Sequence, residues 1–80
     1  MKINAVKQLV EQYDLETLRK LQDELENEQP LSVPVEGDDE GEQLTHILGA
    51  IWIKEQVAQN GTDTRVELRN FAARVRESIS

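Results

Sequence analysis

The sequence predicts an all-α fold of four helices, arranged as two helical hairpins joined by an extended, proline-containing connector. Three observations carry this. Apolar residues recur at helical spacing in four separate segments. Capping-box patterns stand at the start of the third and the fourth. The only two prolines, Pro30 and Pro34, fall together between the second and the third. Eighty residues make a single helical domain over 1–80. A chain of that length buries only ~60% of the surface its unfolded form exposes.

The first helix is expected over about 3–12, where Ile3, Val6, Leu9 and Val10 recur, with Tyr13 just beyond. Asp14 then interrupts as an N-cap, accepting from the backbone N–H of residue 16 or 17. Leu15, Leu18, Leu21 and Leu25 follow on one side of a second helix, about 15–28. Arg19, Lys20, Gln22, Asp23, Glu24 and Glu26 take the rest. Pro30 stops this helix, because the residue before a proline is pushed out of the α region. Leu31-Ser32-Val33-Pro34-Val35 alternates like a strand, but no other segment offers it a partner. It reads as a connector that lays Leu31, Val33 and Val35 over the helices.

The third helix is expected over about 40–59. Asp39 with Glu42 three residues later is a capping box, and the early acids suit the helix dipole. Leu44, Ile47, Leu48, Ile51, Trp52 and Ala58 make one stripe, and His46, Ala50, Ile53 and Val57 a second. Together they cover well over half the circumference. This helix is therefore expected at the buried centre, with Leu48 and Ile51 in the core. Asn60-Gly61 is a C-terminal stop. A fourth helix starts near Asp63 or Thr64, with Thr64 and Glu67 as a second capping box. Leu68, Phe71, Ala72, Val75 and Ile79 form its stripe, with Arg65, Arg69 and Arg76 on one flank and Arg74 on the other.

Net charge is −7 and unevenly spread, with 13 acids against 5 bases in residues 1–60 and 3 against 4 in residues 61–80. Such a surface repels phosphate backbones, so neither nucleic acid nor an anionic membrane is expected as the main partner. Cysteine is absent, which excludes disulfides and thiolate metal sites. No apolar run approaches the ~20 residues of a membrane span. Met1-Lys2-Ile3-Asn4-Ala5-Val6-Lys7-Gln8 lacks the apolar core of a signal peptide. The expectation is a cytoplasmic protein.

The densest chemistry lies in Glu36-Gly37-Asp38-Asp39-Glu40-Gly41-Glu42, five acids and two glycines in seven residues, just before the most apolar segment. Oxygen-rich loops suit calcium, and carboxylate with imidazole suits zinc or iron. This run lacks the alternating ligand order of a calcium loop. His46, the only histidine, lies on an apolar stripe, where a hydrogen-bonded structural role is the expectation. No metal and no cofactor are expected. Glu42 and His46, spaced i, i+4, define a rival reading, a metal- or substrate-dependent site. No nucleophile elbow, phosphate-binding glycine loop or HExxH is present, so the chain is not expected to be an enzyme.

The leading expectation is a small protein–protein interaction or accessory domain. Asp38, Asp39, Glu40 and Glu42 would form an exposed acidic rim, with His46, Trp52 and Ile53 as the adjoining apolar contact. The partner is another protein or a second copy, and a purely structural homodimer is a further alternative. Arg65, Arg69 and Arg76 are expected to pair within the molecule, against the second helix or the acidic loop.

The chain resembles a small uncharacterised family of single-domain proteins of Bacteroidota. The residues that carry this are Val6-Lys7-Gln8-Leu9-Val10-Glu11, the run from Val35 through Thr45-His46, Ile51-Trp52-Ile53, and the ending Phe71-Ala72-Ala73-Arg74-Val75-Arg76-Glu77-Ser78. The acidic-glycine run before Leu44-Thr45-His46 is the most specific part. The resemblance spans nearly the whole chain. It implies a shared fold and is compatible with an accessory role, but it transfers no activity.

Overall fold

The computed structural model describes residues 1–79, with side chains through Arg76. It is all-α, with helices α1 (Ile3–Gln12), α2 (Leu15–Glu26), α3 (Glu40–Asn60) and α4 (Thr64–Ile79). No strand occurs among the described residues. Ile79, placed in the α4 stripe from sequence, has its side chain outside the described residues.

Asp14 caps α2 as expected, its Oδ1 accepting the Thr17 N–H at 2.8 Å. The helix ends two residues sooner than the sequence suggested. Glu28 adopts a left-handed φ of 57°. Its N–H reaches the Leu25 carbonyl at 3.2 Å, and the Gln29 N–H reaches the Glu24 carbonyl at 2.8 Å. Those two bonds form a Schellman closure, which satisfies the last carbonyls without help from Pro30. Gly61, with φ 65°, closes α3 in the left-handed conformation that Asn60-Gly61 foretold.

Helix α3 is the hub. Helices α1, α2 and α4 all pack on it, α1 and α4 meet only lightly, and α1 and α2 do not pack as a hairpin. Of the two expected hairpins, the first is therefore not found, while α3 and α4 do pack on each other. The turn at Tyr13–Asp14 is short, yet each of the first two helices lays its apolar stripe on α3 and not on its neighbour. The reason is surface. Only α3 is apolar on two sides, so only α3 can receive several stripes at once.

The core joins Val6, Leu9 and Val10 of α1, Leu18 and Leu21 of α2, and Ile47, Ala50, Ile51 and Ile53 of α3. Val35 of the segment between α2 and α3 is buried with them, and Leu31 and Val33 pack alongside. That segment is held at both ends. Glu24 of α2 accepts from the Ser32 N–H at 2.9 Å and from the Ser32 hydroxyl. Gln43 of α3 donates Nε2 to the Val35 carbonyl at 2.9 Å.

Leu48 departs from expectation. It is 43% exposed, although it belongs to the stripe assigned to the core. Three helices and a short segment cannot wrap a helix that is apolar over most of its circumference, and Leu48 falls on the uncovered edge. Helix α4 docks by pressing the Phe71 ring onto Gly49. A Cβ at Gly49 would stand 2.7 Å from Phe71 Cζ, so the missing side chain sets the closeness of the two helices.

Candidate functional site

The acidic run performs local work first. Asp39 caps α3, its Oδ1 accepting the Glu42 N–H at 2.8 Å. Glu42 reaches back as in a capping box, but to the N–H of Asp38 at 2.9 Å and not to that of Asp39. That bond, above all, holds the Glu42 carboxyl below its ordinary value, opposed by partial burial. Gly37 is required by close approach, since a Cβ there would stand 2.8 Å from the Gln43 nitrogen. Asp38, Asp39 and Glu40 are exposed, and Glu42 is half-buried.

His46 is fully buried. Its Nδ1 lies 2.7 Å from the Glu36 carbonyl, and its Nε2 accepts the Lys2 N–H at 3.0 Å. These partners assign the neutral tautomer with the proton on Nδ1. The ring thus splices three segments, since Lys2 is the N-cap of α1 and Glu36 lies in the stretch between α2 and α3. Both nitrogens are occupied, so neither offers a lone pair toward Glu42. Among the described residues no group of three His, Cys, Asp or Glu side chains is placed to hold a metal ion. Ile53 is fully buried as well. His46 and Ile53, read from sequence as contact residues, are therefore corrected to core residues. Their stripe faces the other helices, not solvent.

Trp52 is half-buried at the surface of α3. Its ring centroid lies 5.9 Å from that of Phe71, and the Arg74 guanidinium sits 5.2 Å over it. A groove between α3 and α4 runs to both sides of it. On one side Met1, Leu48, Trp52, Phe71 and Val75 line an almost wholly apolar hollow of about 320 Å³. On the other, Trp52, Gln56, Asn60, Glu67, Asn70 and Arg74 line a polar one of about 610 Å³. Met1, which lines the apolar hollow, carries its terminal ammonium 3.6 Å from Glu42 Oε2, so this end of the groove abuts the last acid of the acidic run.

Glu67 governs the polar end and corrects a second sequence reading. It does not form a capping box with Thr64. Asp63 is the cap, its Oδ1 accepting the Val66 N–H at 2.9 Å. Glu67 is instead 2% exposed. Its Oε2 accepts from the Thr62 hydroxyl at 2.5 Å and from Asn60 Nδ2 at 3.3 Å. Its Oε1 accepts from Asn70 Nδ2 at 3.3 Å. The Thr62 bond is the main cause that holds this carboxyl below its ordinary value of 4.5, against the opposing effect of burial.

A folded-state value below the unfolded one means that the ionised carboxylate stabilises the fold. Its contribution is complete above 4.5 and is lost as pH falls through the lowered value. Urea midpoints measured from neutral pH down to about pH 3 should therefore fall less steeply for Glu67→Gln than for the parent chain. Equal slopes would show that this carboxylate contributes nothing to the acid side of the profile.

Arg65, Arg69 and Arg76 are exposed on α4, and among the described residues none of them forms an ion pair. The expected internal pairing is thus not found. Helix α2 packs on α3 and not on α4, so its acids do not face these arginines. Glu55 binds Arg19 at 2.9 Å, and Asp14, Asp39 and Asp63 serve as caps.

Sequence reasoning found Trp52 and the acids but missed Met1, Gln56, Asn60, Glu67 and Asn70. A signal existed. Trp52, Gln56 and Asn60 are spaced i, i+4, i+8, and Glu67, Asn70 and Arg74 are spaced i, i+3, i+7. Each set reads alone as an ordinary solvated face. Only the antiparallel docking of α4 on α3 makes one groove of them.

No helix among the described residues is long and apolar enough to cross a membrane. Comparison with curated proteins and with solved structures finds no match. The model of a family of unknown function, DUF6952, matches residues 1–80, so the chain belongs to that family.

Proposed function

We propose that this chain is a small interaction domain, an accessory or regulatory protein of the bacterial cytoplasm with no catalytic activity of its own. Its contact surface is the apolar end of the groove between α3 and α4. Its partner is a protein segment, helical and amphipathic, that carries basic residues beside its apolar ones. The observation behind this reading is the exposure of Leu48 and Met1, each 43%, in one hollow with Trp52, Phe71 and Val75. Apolar surface left in one place, beside polar residues, is what a contact face requires. The exposed acids Asp38, Asp39 and Glu40 lie at the start of the helix that carries Leu48 and Trp52, and they supply the complement to a basic segment.

A helical peptide with leucine on one face and lysine on the other tests the reading. Binding should shift the emission of Trp52, the only tryptophan. The same peptide with glutamate in place of lysine should bind far more weakly, and Leu48→Asp should abolish the shift. Binding that is indifferent to peptide charge, or to Leu48→Asp, sinks the proposal. Sedimentation equilibrium tests the rival occupant. A dimer that dissociates in Leu48→Asp would place a second copy in the groove in place of the basic segment.

A further inference from the structure

Helix α4 carries four of the five arginines of the chain and none of its four lysines. Either cation keeps a surface soluble and suits a helix. Arginine differs in its flat fork of N–H donors, which matches a carboxylate with two parallel hydrogen bonds. Two of the five arginines are used within the fold. Arg19 meets Glu55 at 2.9 Å, and the Arg74 guanidinium covers the Trp52 ring. Arg65, Arg69 and Arg76 are exposed, and among the described residues none of them forms an ion pair.

Helical spacing gathers these three on one side of α4. Positions 65, 69 and 76 fall in a narrow sector of the helix, a row about 16 Å long at 1.5 Å per residue. Beside the row stand Val66 and Ala73, both exposed. Val66 is 40% exposed, whereas Leu68 and Phe71 of the same helix pack against the core. The only acid in sequence between Arg65 and Arg76 is Glu67, which is buried and bonded to Thr62, Asn60 and Asn70. The face is thus a row of forked cations edged by small apolar side chains, with no exposed acid inside it.

Such a face calls for anions at helical spacing, and length decides which. A nucleic acid would run past the row onto the rest of the surface, where 13 acids oppose 5 bases in residues 1–60. The row also offers no ring for a base to stack on, since Trp52 and Phe71 are engaged with each other where α3 meets α4. A short helix with its own row of carboxylates repeats the spacing of the arginines and stays within the face. We propose that this side of α4 is a second interaction surface, whose occupant is an acidic amphipathic helix of another protein. Its Asp or Glu side chains pair with Arg65, Arg69 and Arg76, and its apolar side rests on Val66 and Ala73. This face is separate from the apolar end of the groove and does not depend on it. A chain with one acidic and one basic contact face can join two partners.

The probe is a helical alanine-based peptide with glutamate at i, i+4 and i+11, titrated into the full chain. Its control has glutamine at the same places. The readouts are the backbone amide NMR signals of Val66, Arg69 and Ala73. Saturable shifts at those residues are expected, with affinity about tenfold weaker for the glutamine peptide, the combined scale of three exposed pairs. Arg69→Glu, at an exposed and unpaired position, should weaken binding at least as much, while Leu48→Asp should leave it unchanged. Equal affinity for the glutamine peptide, indifference to Arg69→Glu, or tighter binding of an oligonucleotide of equal charge would each overturn the proposal. A dimer of the free chain that dissociates on Arg69→Glu would overturn it too, by making the occupant a second copy. Loss of acidic-peptide binding in Leu48→Asp would place that peptide in the apolar hollow and remove the separate face. Acidic-peptide binding without basic-peptide binding would sink the groove reading and leave this one, and the converse result would sink this one alone.

Discussion

Replacing Ile53 by alanine is expected to cost about 2–5 kcal/mol, a large share of the stability of so small a domain. Ile53 is fully buried in the cluster that joins α1, α2 and α3. Its removal loses the transfer energy of the deleted carbons and leaves a cavity that helices held on several sides cannot collapse to fill. Leu48→Ala is the internal control. Leu48 belongs to the same helix but is 43% exposed, so its truncation should cost less than about 1 kcal/mol. Urea unfolding of the two variants, read at equal slope, compares them directly. Equal losses would mean that the Leu48 edge is covered, and the proposed contact face would go with it.

His46→Ala is expected to be nearly as damaging, at about 2–4 kcal/mol, for a different reason. The ring satisfies two backbone groups, the Glu36 carbonyl and the Lys2 N–H, at a fully buried position. Alanine orphans both groups and leaves a void. Lys2 is the N-cap of α1 and makes no side-chain cap bond, while its carbonyl receives the N–H groups of Ala5 and Val6. The loss should therefore appear locally as well, as faster amide exchange in the first turn of α1. His46→Asn retains one donor and one acceptor and should recover part of the loss. If His46→Ala stays within about 0.5 kcal/mol of the parent, the histidine is not structural and its candidacy as a functional group revives.

These two residues show how far the sequence could be read. Both lie on the second apolar stripe of α3. For His46 the sequence already favoured a hydrogen-bonded structural role over a ligand. Nothing local could name its partners, because Lys2 and Glu36 stand 44 and 10 residues away. Leu48 and Ile53 were assigned to different stripes, but to the wrong fates, since on a helix that is apolar over more than half its circumference nothing local says which stripe is covered. The acidic run was legible as a cap, and Asp39 with Glu42 fulfils that role within one residue of the expected geometry. Glu67 was legible only as an acid in the first turn of a helix. Its burial follows from the approach of Asn60 and Thr62 across the α3–α4 turn.

The sequence by itself determined the four helices, the caps of α2 and α3, the Gly61 stop and the place of α3 at the centre, while it misplaced the cap of α4 and the stop of α2. Those features are set by interactions reaching no more than about four residues along the chain, where spacing and residue type are sufficient. The tertiary structure alone decided which side of α3 each neighbour took, and so which residues became core and which became surface. Helices α1 and α2 both chose α3 over each other, which buried His46 and Ile53. Helix α4 seated Phe71 on Gly49, which left Leu48 bare and drew Trp52, Glu67 and Arg74 into one groove. A helix that is apolar on two sides specifies that it will be covered, but not by what. That choice belongs to the competition among the other three stripes for its surface.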